Sequence, residues 1–156
     1  GGGAFHGVSG AVLGDGTLTG RTDIWGFAAE LIARRPLLGY GYEAVWGMGY
    51  EGIAYKNTLG FPRIAPTGHN GYVDILLYLG VTGFVPLILF LVAALAVAAR
   101  LARLDMRLGF LSLTLTVFVI LHNNLESDIL ISSHALSVLL ILFFLVGLRL
   151  TGTRRT

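Results

Sequence analysis

The residues best suited to chemistry in this chain of 156 residues are His69 and Arg21. His69 is followed by Asn70 and, after nine further residues, by Gly80 and Gly83. On a single helix, the turn of 100° per residue would bring both glycines within about 40° of the imidazole. Missing side chains let a neighbouring helix or a lipid tail approach the backbone closely. The pattern indicates either a titratable group above a groove for a lipid-anchored substrate or an interfacial histidine ahead of a helix whose glycines simply pack.

Arg21 stands just before a segment with helical periodicity. Apolar residues in this segment predict an amphipathic helix over about residues 22–35, with Thr22 as its N-cap. A guanidinium beside a helix N-terminus, where backbone N–H groups are free, is well suited to bind a diphosphate. The alternative is a solvated arginine in a Gly-rich turn. At the other end of the helix, Arg34 and Arg35 would add positive charge, although helix capping explains them more simply.

Several other kinds of chemistry find no support in the sequence. The absence of cysteine excludes a thiol nucleophile, a disulfide and a thiolate metal site. None of the four histidines belongs to a helical metal-binding pair, so the sequence predicts no metal site. No serine lies in a nucleophile elbow. A net charge of +2 is too weak to indicate a nucleic-acid partner.

The composition indicates a membrane protein. Hydrophobic residues make up 54% of the chain and charged residues only 13%, about half the charged share of an ordinary soluble domain. Apolar stretches long enough to cross a bilayer predict three transmembrane helices, at about residues 72–99, 106–124 and 129–149. The predicted fold is therefore an all-α integral membrane protein with a break or kink near the glycines of the first span. Its outer loop carries the amphipathic helix.

Basic residues set the expected orientation of these spans. Three arginines lie in or beside the connection between the first two spans: Arg100, Arg103 and Arg107. The connection at 123–128 contains no lysine or arginine. The positive-inside rule then places the arginines in the cytoplasm. Residues 1–70 and the 123–128 turn are expected outside, and residues 151–156 are expected to form a cytoplasmic tail.

Two runs of residues resemble the O-antigen ligase and polymerase superfamily over about residues 17–150, the carboxy-terminal third of a typical member. The outer-loop signature is matched by Thr19-Gly20-Arg21-Thr22-Asp23-Ile24-Trp25 and then Pro36-Leu37-Leu38-Gly39-Tyr40-Gly41. The spaced pattern of His69, Asn70, Gly80 and Gly83 resembles the superfamily's histidine motif. The amino-acid sequence of residues 67–72 is most similar to that of exopolysaccharide polymerases of the rhizobial succinoglycan type. Glu126 fits the last outer loop of the family more weakly.

The resemblance implies an inner-membrane glycosyltransferase of the GT-C-like class that acts on the periplasmic face. Such enzymes join glycan units carried on undecaprenyl diphosphate and need no metal or nucleotide sugar. In this assignment His69 accepts the acceptor's proton, or hydrogen-bonds in its place, and Arg21 stabilises the diphosphate. Substrate-binding roles are expected for Asn70, Gly80, Gly83, Arg34, Arg35 and Glu126.

Within this resemblance a polymerase is favoured over a ligase or a protein O-glycosylating relative. Membrane lipids and other polysaccharide-assembly membrane proteins are the further partners expected. Two alternatives stay open: a glycolipid-binding or transport module without chemistry, and a truncated piece that does nothing alone. The strictly apolar stretches contain no carboxylate, which counts against transport.

Overall fold

The computed structural model describes residues 16–46, 49–58, 65–127 and 135–152. These residues form helices and no strand, which confirms the all-helical fold for the described part of the chain. In chain order they are α1 (Gly16–Arg34), a 3-10 turn (Gly49–Glu51), α2 (Ile53–Asn57), α3 (Gly71–Leu104), α4 (Met106–His122) and α5 (Ala135–Gly152).

Two of these helices, α3 and α5, are long and apolar enough to cross a membrane. The apolar helix α4 has 17 residues and is about 25 Å long, a few ångströms short of a bilayer core of about 30 Å. A third span therefore stays a prediction. Residues 129–134 of the predicted last span, and residues 153–156 of the predicted tail, lie outside the described residues.

Helix α1 begins earlier than the sequence predicts. It starts at Gly16, so Thr22 is not its N-cap and Asp23 is not in its first turn. The apolar repeat that marked the helix begins only at Ile24, and no proline stops the chain from continuing the helix upstream. Arg21 consequently lies inside the helix, past the free N–H groups of the first turn. The prediction that the helix N-terminus adds to anion binding at Arg21 is therefore wrong.

The apolar face of α1 packs against an outer core formed by loop residues and the start of α3. The buried residues of this core are Ile24, Ala28, Leu31, Val45, Trp46, Ala54, Ala65, Leu77 and Tyr78. A second core lies between α3, α4 and α5 and contains Leu91, Ala94, Val119 and Leu140. The outer core fixes α1 on top of the helical bundle, which is how the amphipathic helix reaches the candidate site.

Helix α3 is broken at Gly80. This residue has φ 63° and ψ −158°, values that do not occur in a helix. The rings of Tyr72 and Phe84 lie 6.5 Å apart, whereas twelve residues of straight helix advance about 18 Å. The first part of α3 is therefore bent back toward the second part.

The chain segment 36–41 fills this break, and we call the resulting contact the seam. Four backbone hydrogen bonds form it: Tyr40 N–H to the Leu77 carbonyl (2.8 Å), Gly41 N–H to Tyr78 (2.9 Å), Val81 N–H to Pro36 (2.8 Å) and Thr82 N–H to Leu37 (3.2 Å). A broken helix exposes the carbonyls of its first half and the N–H groups of its second half. The seam provides partners for two carbonyls of the first half and two N–H groups of the second half.

Glycines at the seam are required by close backbone approach. A Cβ added to Gly39 would lie 2.5 Å from the Leu77 carbonyl oxygen, and one added to Gly80 would lie 2.3 Å from that of Leu37. Both glycines also have positive φ, a conformation that L-residues rarely adopt. Gly39 and Gly80 therefore serve the close packing of segment 36–41 on the break in α3.

The other end of the bundle is closed by a tight connection between α3 and α4. Asp105 is the single residue between these helices, and its Oδ1 accepts hydrogen bonds from the N–H groups of Arg107 (2.9 Å) and Leu108 (3.1 Å). The backbone of Gly109 packs directly on Ala102. This hairpin returns the chain to the end of the bundle at which α3 begins.

Candidate active site

Three charged or titratable side chains meet where α1, the start of α3 and the end of α4 converge. Glu126 lies between the other two, with its Oε1 4.0 Å from Arg21 Nη2 and its Oε2 3.7 Å from His69 Nδ1. Each carboxylate oxygen therefore faces one cationic or titratable group. We call Arg21, His69 and Glu126 the outer cluster. Its side chains are 29%, 25% and 46% exposed, respectively, so substrate can reach them.

His69 lies in the loop before α3 and not on the helix. Its φ is +50°, and its backbone N–H donates to Thr67 Oγ1 at 3.3 Å. Among the described residues its Nδ1 has no hydrogen-bond partner, although the atom is buried. Of the two interpretations that the sequence allowed, the one in which a single helix carries His69 with both glycines is wrong, because the helix begins after His69 and breaks at Gly80.

Asn70 is the N-cap of α3. Its Oδ1 accepts from the N–H groups of Tyr72 (3.0 Å) and Val73 (3.2 Å), and its Nδ2 donates to the Asn124 carbonyl (3.2 Å). An N-cap of this kind stabilises a helix by about 1 kcal/mol. The Asn70 amide oxygen thus caps α3, while its amide nitrogen joins the start of α3 to the turn after α4. A contact with substrate stays a prediction.

The turn that carries Glu126 is held against the start of α3. The backbone N–H of Gly71 donates to the carbonyls of Asn123 (2.9 Å) and Glu126 (3.1 Å). The Asn70 N–H donates to Ser127 Oγ at 3.1 Å. A Cβ on Gly71 would lie 2.4 Å from the Asn123 side-chain oxygen, so the absence of a side chain there allows the contact. These hydrogen bonds fix the position of the turn that carries Glu126 relative to the loop that carries His69.

Trp25 brings Arg21 to the cluster. Its indole Nε1–H donates to the Gly68 carbonyl at 2.9 Å, directly before His69. Arg21 lies four residues earlier in α1 and so projects from the same face. The helix is therefore locked to the histidine loop one turn away from the guanidinium. Trp25 belongs to the family signature in the sequence, but no role for it was predicted.

Asp74 is a buried carboxylate that sequence analysis missed. Both of its carboxylate oxygens lie 3.1 Å from the Gly68 N–H, its Oδ1 accepts from Trp46 Nε1–H at 2.9 Å, and it also bonds the Ser127 side chain. A buried carboxylate is stable only when it is hydrogen-bonded in this way. The signal in the sequence was an acidic residue directly beside an apolar run.

Arg34 and Arg35 are not part of the outer cluster. They lie about 20 Å from Arg21, at the other end of α1. Arg34 pairs with Glu30 across one turn at 3.8 Å, and both side chains are exposed. Arg35 stacks over the Tyr40 ring at 5.0 Å. The helix therefore separates these cations from the site that they were expected to support.

The two glycines of the histidine motif, Gly80 and Gly83, contact other residues of this chain. Gly80 lies against the Leu37 backbone in the seam, and a Cβ on Gly83 would lie 2.3 Å from Leu79 Cβ. In the part of the chain that the structure describes, the neighbour that approaches Gly80 closely is thus the loop after α1. Within the same residues, no group of three His, Asp or Glu side chains is arranged to hold a metal ion.

These features define a helical membrane protein with a cation–carboxylate cluster at one end of its bundle. A family profile described as O-antigen ligase matches residues 4–88, more than half of the chain. The chain belongs to this O-antigen ligase family, which confirms the resemblance found in its sequence.

A curated relative supports the same assignment. The exopolysaccharide production protein ExoQ of Rhizobium meliloti (strain 1021) is 33% identical over 90 residues. The aligned region is 56% of this chain and 20% of the relative, so this chain covers a fifth of the relative's length. No solved structure matches the chain. The rhizobial type of the resemblance is thereby confirmed.

Proposed function

We propose that this protein is a membrane glycosyltransferase that polymerises or ligates glycan units carried on undecaprenyl diphosphate. The observation that carries the proposal is the convergence of Arg21 and His69 on Glu126. These residues come from three separate segments, and two of them lie in the motifs of the family. The proposal includes a GT-C-like fold, three spans and an active face in the periplasm of the inner membrane. The proposed activity is that of the full-length protein, because this chain covers only 20% of the curated relative's length.

The reaction requires one bond to form and one to break. The oxygen of an acceptor hydroxyl attacks the anomeric carbon of the donor sugar, and the bond from that carbon to the diphosphate oxygen breaks. Undecaprenyl diphosphate leaves with the electron pair, and the imidazole of His69 takes the hydroxyl proton. Arg21 stabilises the negative charge that grows on the leaving diphosphate. Diphosphate is a good leaving group, so position and charge are the main contributions that the residues must supply.

Glu126 has a role toward each of its neighbours. Its carboxylate lies 4.0 Å from the guanidinium of Arg21, and a diphosphate, which carries more negative charge, would compete for the same guanidinium. The buried Nδ1 of His69 lies 3.7 Å from Oε2 of Glu126, slightly beyond hydrogen-bond distance. A small movement would let Nδ1–H donate to the carboxylate and leave Nε2 as the base.

The curated relative is an exopolysaccharide production protein, which favours polymerisation over ligation. The hydrogen bonds of Asp74 count against the transport alternative. Transporters place ionisable groups along a path through the spans, whereas Asp74 is bonded to Gly68 and Trp46. Vesicles that contain the complete protein would separate the two functions, because a polymerase lengthens lipid-linked oligosaccharide and a transporter moves it unchanged.

Replacing Arg21 with alanine is expected to lower kcat/KM for lipid-linked oligosaccharide about 10- to 100-fold. A hydrogen bond to a charged group contributes about 1.5–3 kcal/mol, which corresponds to this range. The measurement is glycan elongation in membrane vesicles at several substrate concentrations. Arg107→Ala removes an exposed arginine at the far end of the bundle and is the matched control. Equal loss in both variants would contradict a specific role for Arg21.

Replacing Glu126 with glutamine is expected to lower kcat and to lower KM. The neutral amide no longer attracts the guanidinium of Arg21, so the diphosphate meets less competition, but it orients the imidazole of His69 less well. The pH profile of kcat tests the second effect, because a purely structural role of Glu126 would leave its shape unchanged. Glu51→Gln, at an exposed site in the outer loop, is the control. A variant with wild-type kcat and KM would remove Glu126 from the mechanism.

A further inference from the structure

A second cavity lies at the carboxyl end of α1, away from the outer cluster. Its volume is about 370 Å³, which is within the usual range of about 300–1,000 Å³ for small-molecule sites. Residues that line it come from three segments and include Phe27, Glu30, Arg34, Tyr40, Ile53 and Asn57. The function proposed above uses none of these side chains.

The lining combines two kinds of surface. Phe27, Tyr40 and Ile53 supply aromatic and aliphatic area, and each is half-buried. Glu30, Arg34 and Asn57 are exposed and supply carboxylate, guanidinium and amide groups that donate and accept hydrogen bonds. A sugar ring has an apolar C–H face and a rim of hydroxyl groups that both donate and accept. A sugar therefore fits a wall of this composition better than a purely apolar ligand does.

Of the cations beside the cavity that the structure describes, two are paired with carboxylates, and the third, Arg35, stacks on the ring of the lining residue Tyr40, so none is directed into the cavity alone as an anion site would require. Arg34 lies 3.8 Å from Glu30. In the adjoining segment Lys56 donates a hydrogen bond to Glu51, and this bond holds the pKa of the Glu51 carboxyl below its ordinary value. A site for a free phosphate would present cations without such partners. The paired side chains still have free donor and acceptor positions for hydroxyl groups.

We propose that this cavity binds saccharide residues of the glycan that lie remote from the reacting end. The proposal rests on the proposed function, since it gives that reaction a second contact with its substrate. Helix α1 carries both sites, Arg21 toward its start and Arg34 at its end, about 20 Å apart. An oligosaccharide of several sugars spans this distance. Holding the remote part of the chain keeps the product near the active site between transfers, so the cavity sets product length.

The test uses the complete protein with both Arg34→Ala and Asn57→Ala. The probe is the lipid-free oligosaccharide released by mild acid from the lipid-linked glycan of the same cells. Calorimetry on the purified protein is expected to show binding at least tenfold weaker than in the wild type. Elongation in vesicles is expected to give shorter products, while the rate of the first transfer changes less than twofold. Arg34→Gln, which keeps the aliphatic stem as far as Cδ and a hydrogen-bond donor, is expected to have a smaller effect.

Two controls keep this result separate from the catalytic proposal. Arg107→Ala is expected to leave oligosaccharide affinity and product length as in the wild type. His69→Ala is expected to bind the probe with wild-type affinity although it makes no polymer. Wild-type affinity and product length in the double variant would overturn the cavity proposal. Absence of polymer from the wild-type protein, with probe binding lost only in the double variant, would instead overturn the proposed reaction.

Discussion

Replacing His69 with alanine is expected to lower glycan elongation about 10²- to 10⁴-fold, the usual contribution of a general base. The imidazole is the base of the outer cluster in the proposed reaction, and among the described residues no other histidine lies beside both Arg21 and Glu126. The measurement is single-turnover elongation of lipid-linked oligosaccharide in vesicles that contain the complete protein. Protein in the membrane is expected at the wild-type level.

The matched control for this variant is His122→Ala. His122 lies at the end of α4 and stacks on Phe118 at 5.3 Å, outside the outer cluster, so elongation is expected to stay within a few-fold of the wild type. Adding His69→Gln separates hydrogen bonding from proton transfer, since glutamine donates and accepts but does not take up the proton. If His69→Ala elongated glycan at the wild-type rate, His69 would not be the base.

Replacing Gly80 with alanine is expected to destabilise the protein by about 3 kcal/mol or more. The φ and ψ of Gly80 belong almost only to glycine, and such strain costs about 1–3 kcal/mol. In addition, the new Cβ would lie 2.3 Å from the Leu37 carbonyl oxygen, so the seam must open and release its backbone hydrogen bonds. The measurement is the Tm of the detergent-purified protein together with its level in the membrane.

Gly26→Ala is the matched control for the seam. Gly26 lies within α1, and a Cβ added there would have nothing within 4 Å. Alanine in a helix interior is favoured over glycine by about 0.5–1 kcal/mol, so Tm is expected to rise slightly. If Gly80→Ala and Gly26→Ala had the same Tm, the break in α3 and its filling by segment 36–41 would be contradicted.

The seam and the outer cluster depend on each other through α1. Trp25 joins the middle of this helix to the histidine loop, and Pro36 and Leu37 join the segment after it to the break in α3. An opened seam would leave α1 held only by Trp25 and by its apolar face in the outer core. Part of the loss of activity expected for Gly80→Ala therefore comes from Arg21, which the helix no longer holds beside Glu126.

Local patterns in the sequence were informative about the elements of the fold. Helical periodicity identified α1, although its start was wrong by six residues because no local signal marks the beginning at Gly16. The glycines in the first apolar stretch predicted a break, and the structure has it at Gly80. No pattern in residues 36–41 indicated that this segment would fill the break, since its hydrogen bonds go to a distant part of the chain.

The sequence by itself determined that this is a helical membrane protein of the O-antigen ligase family and that His69 and Arg21 are its chemical candidates. Hydropathy and residue type are local properties, so they can be taken directly from the order of residues. Only the tertiary structure decided that Glu126 lies between the two candidates, that Asp74 holds the histidine loop, and that Arg34 lies elsewhere. These relations depend on the path of the chain through the left-handed backbone at His69 and the break in α3, and no local periodicity encodes that path.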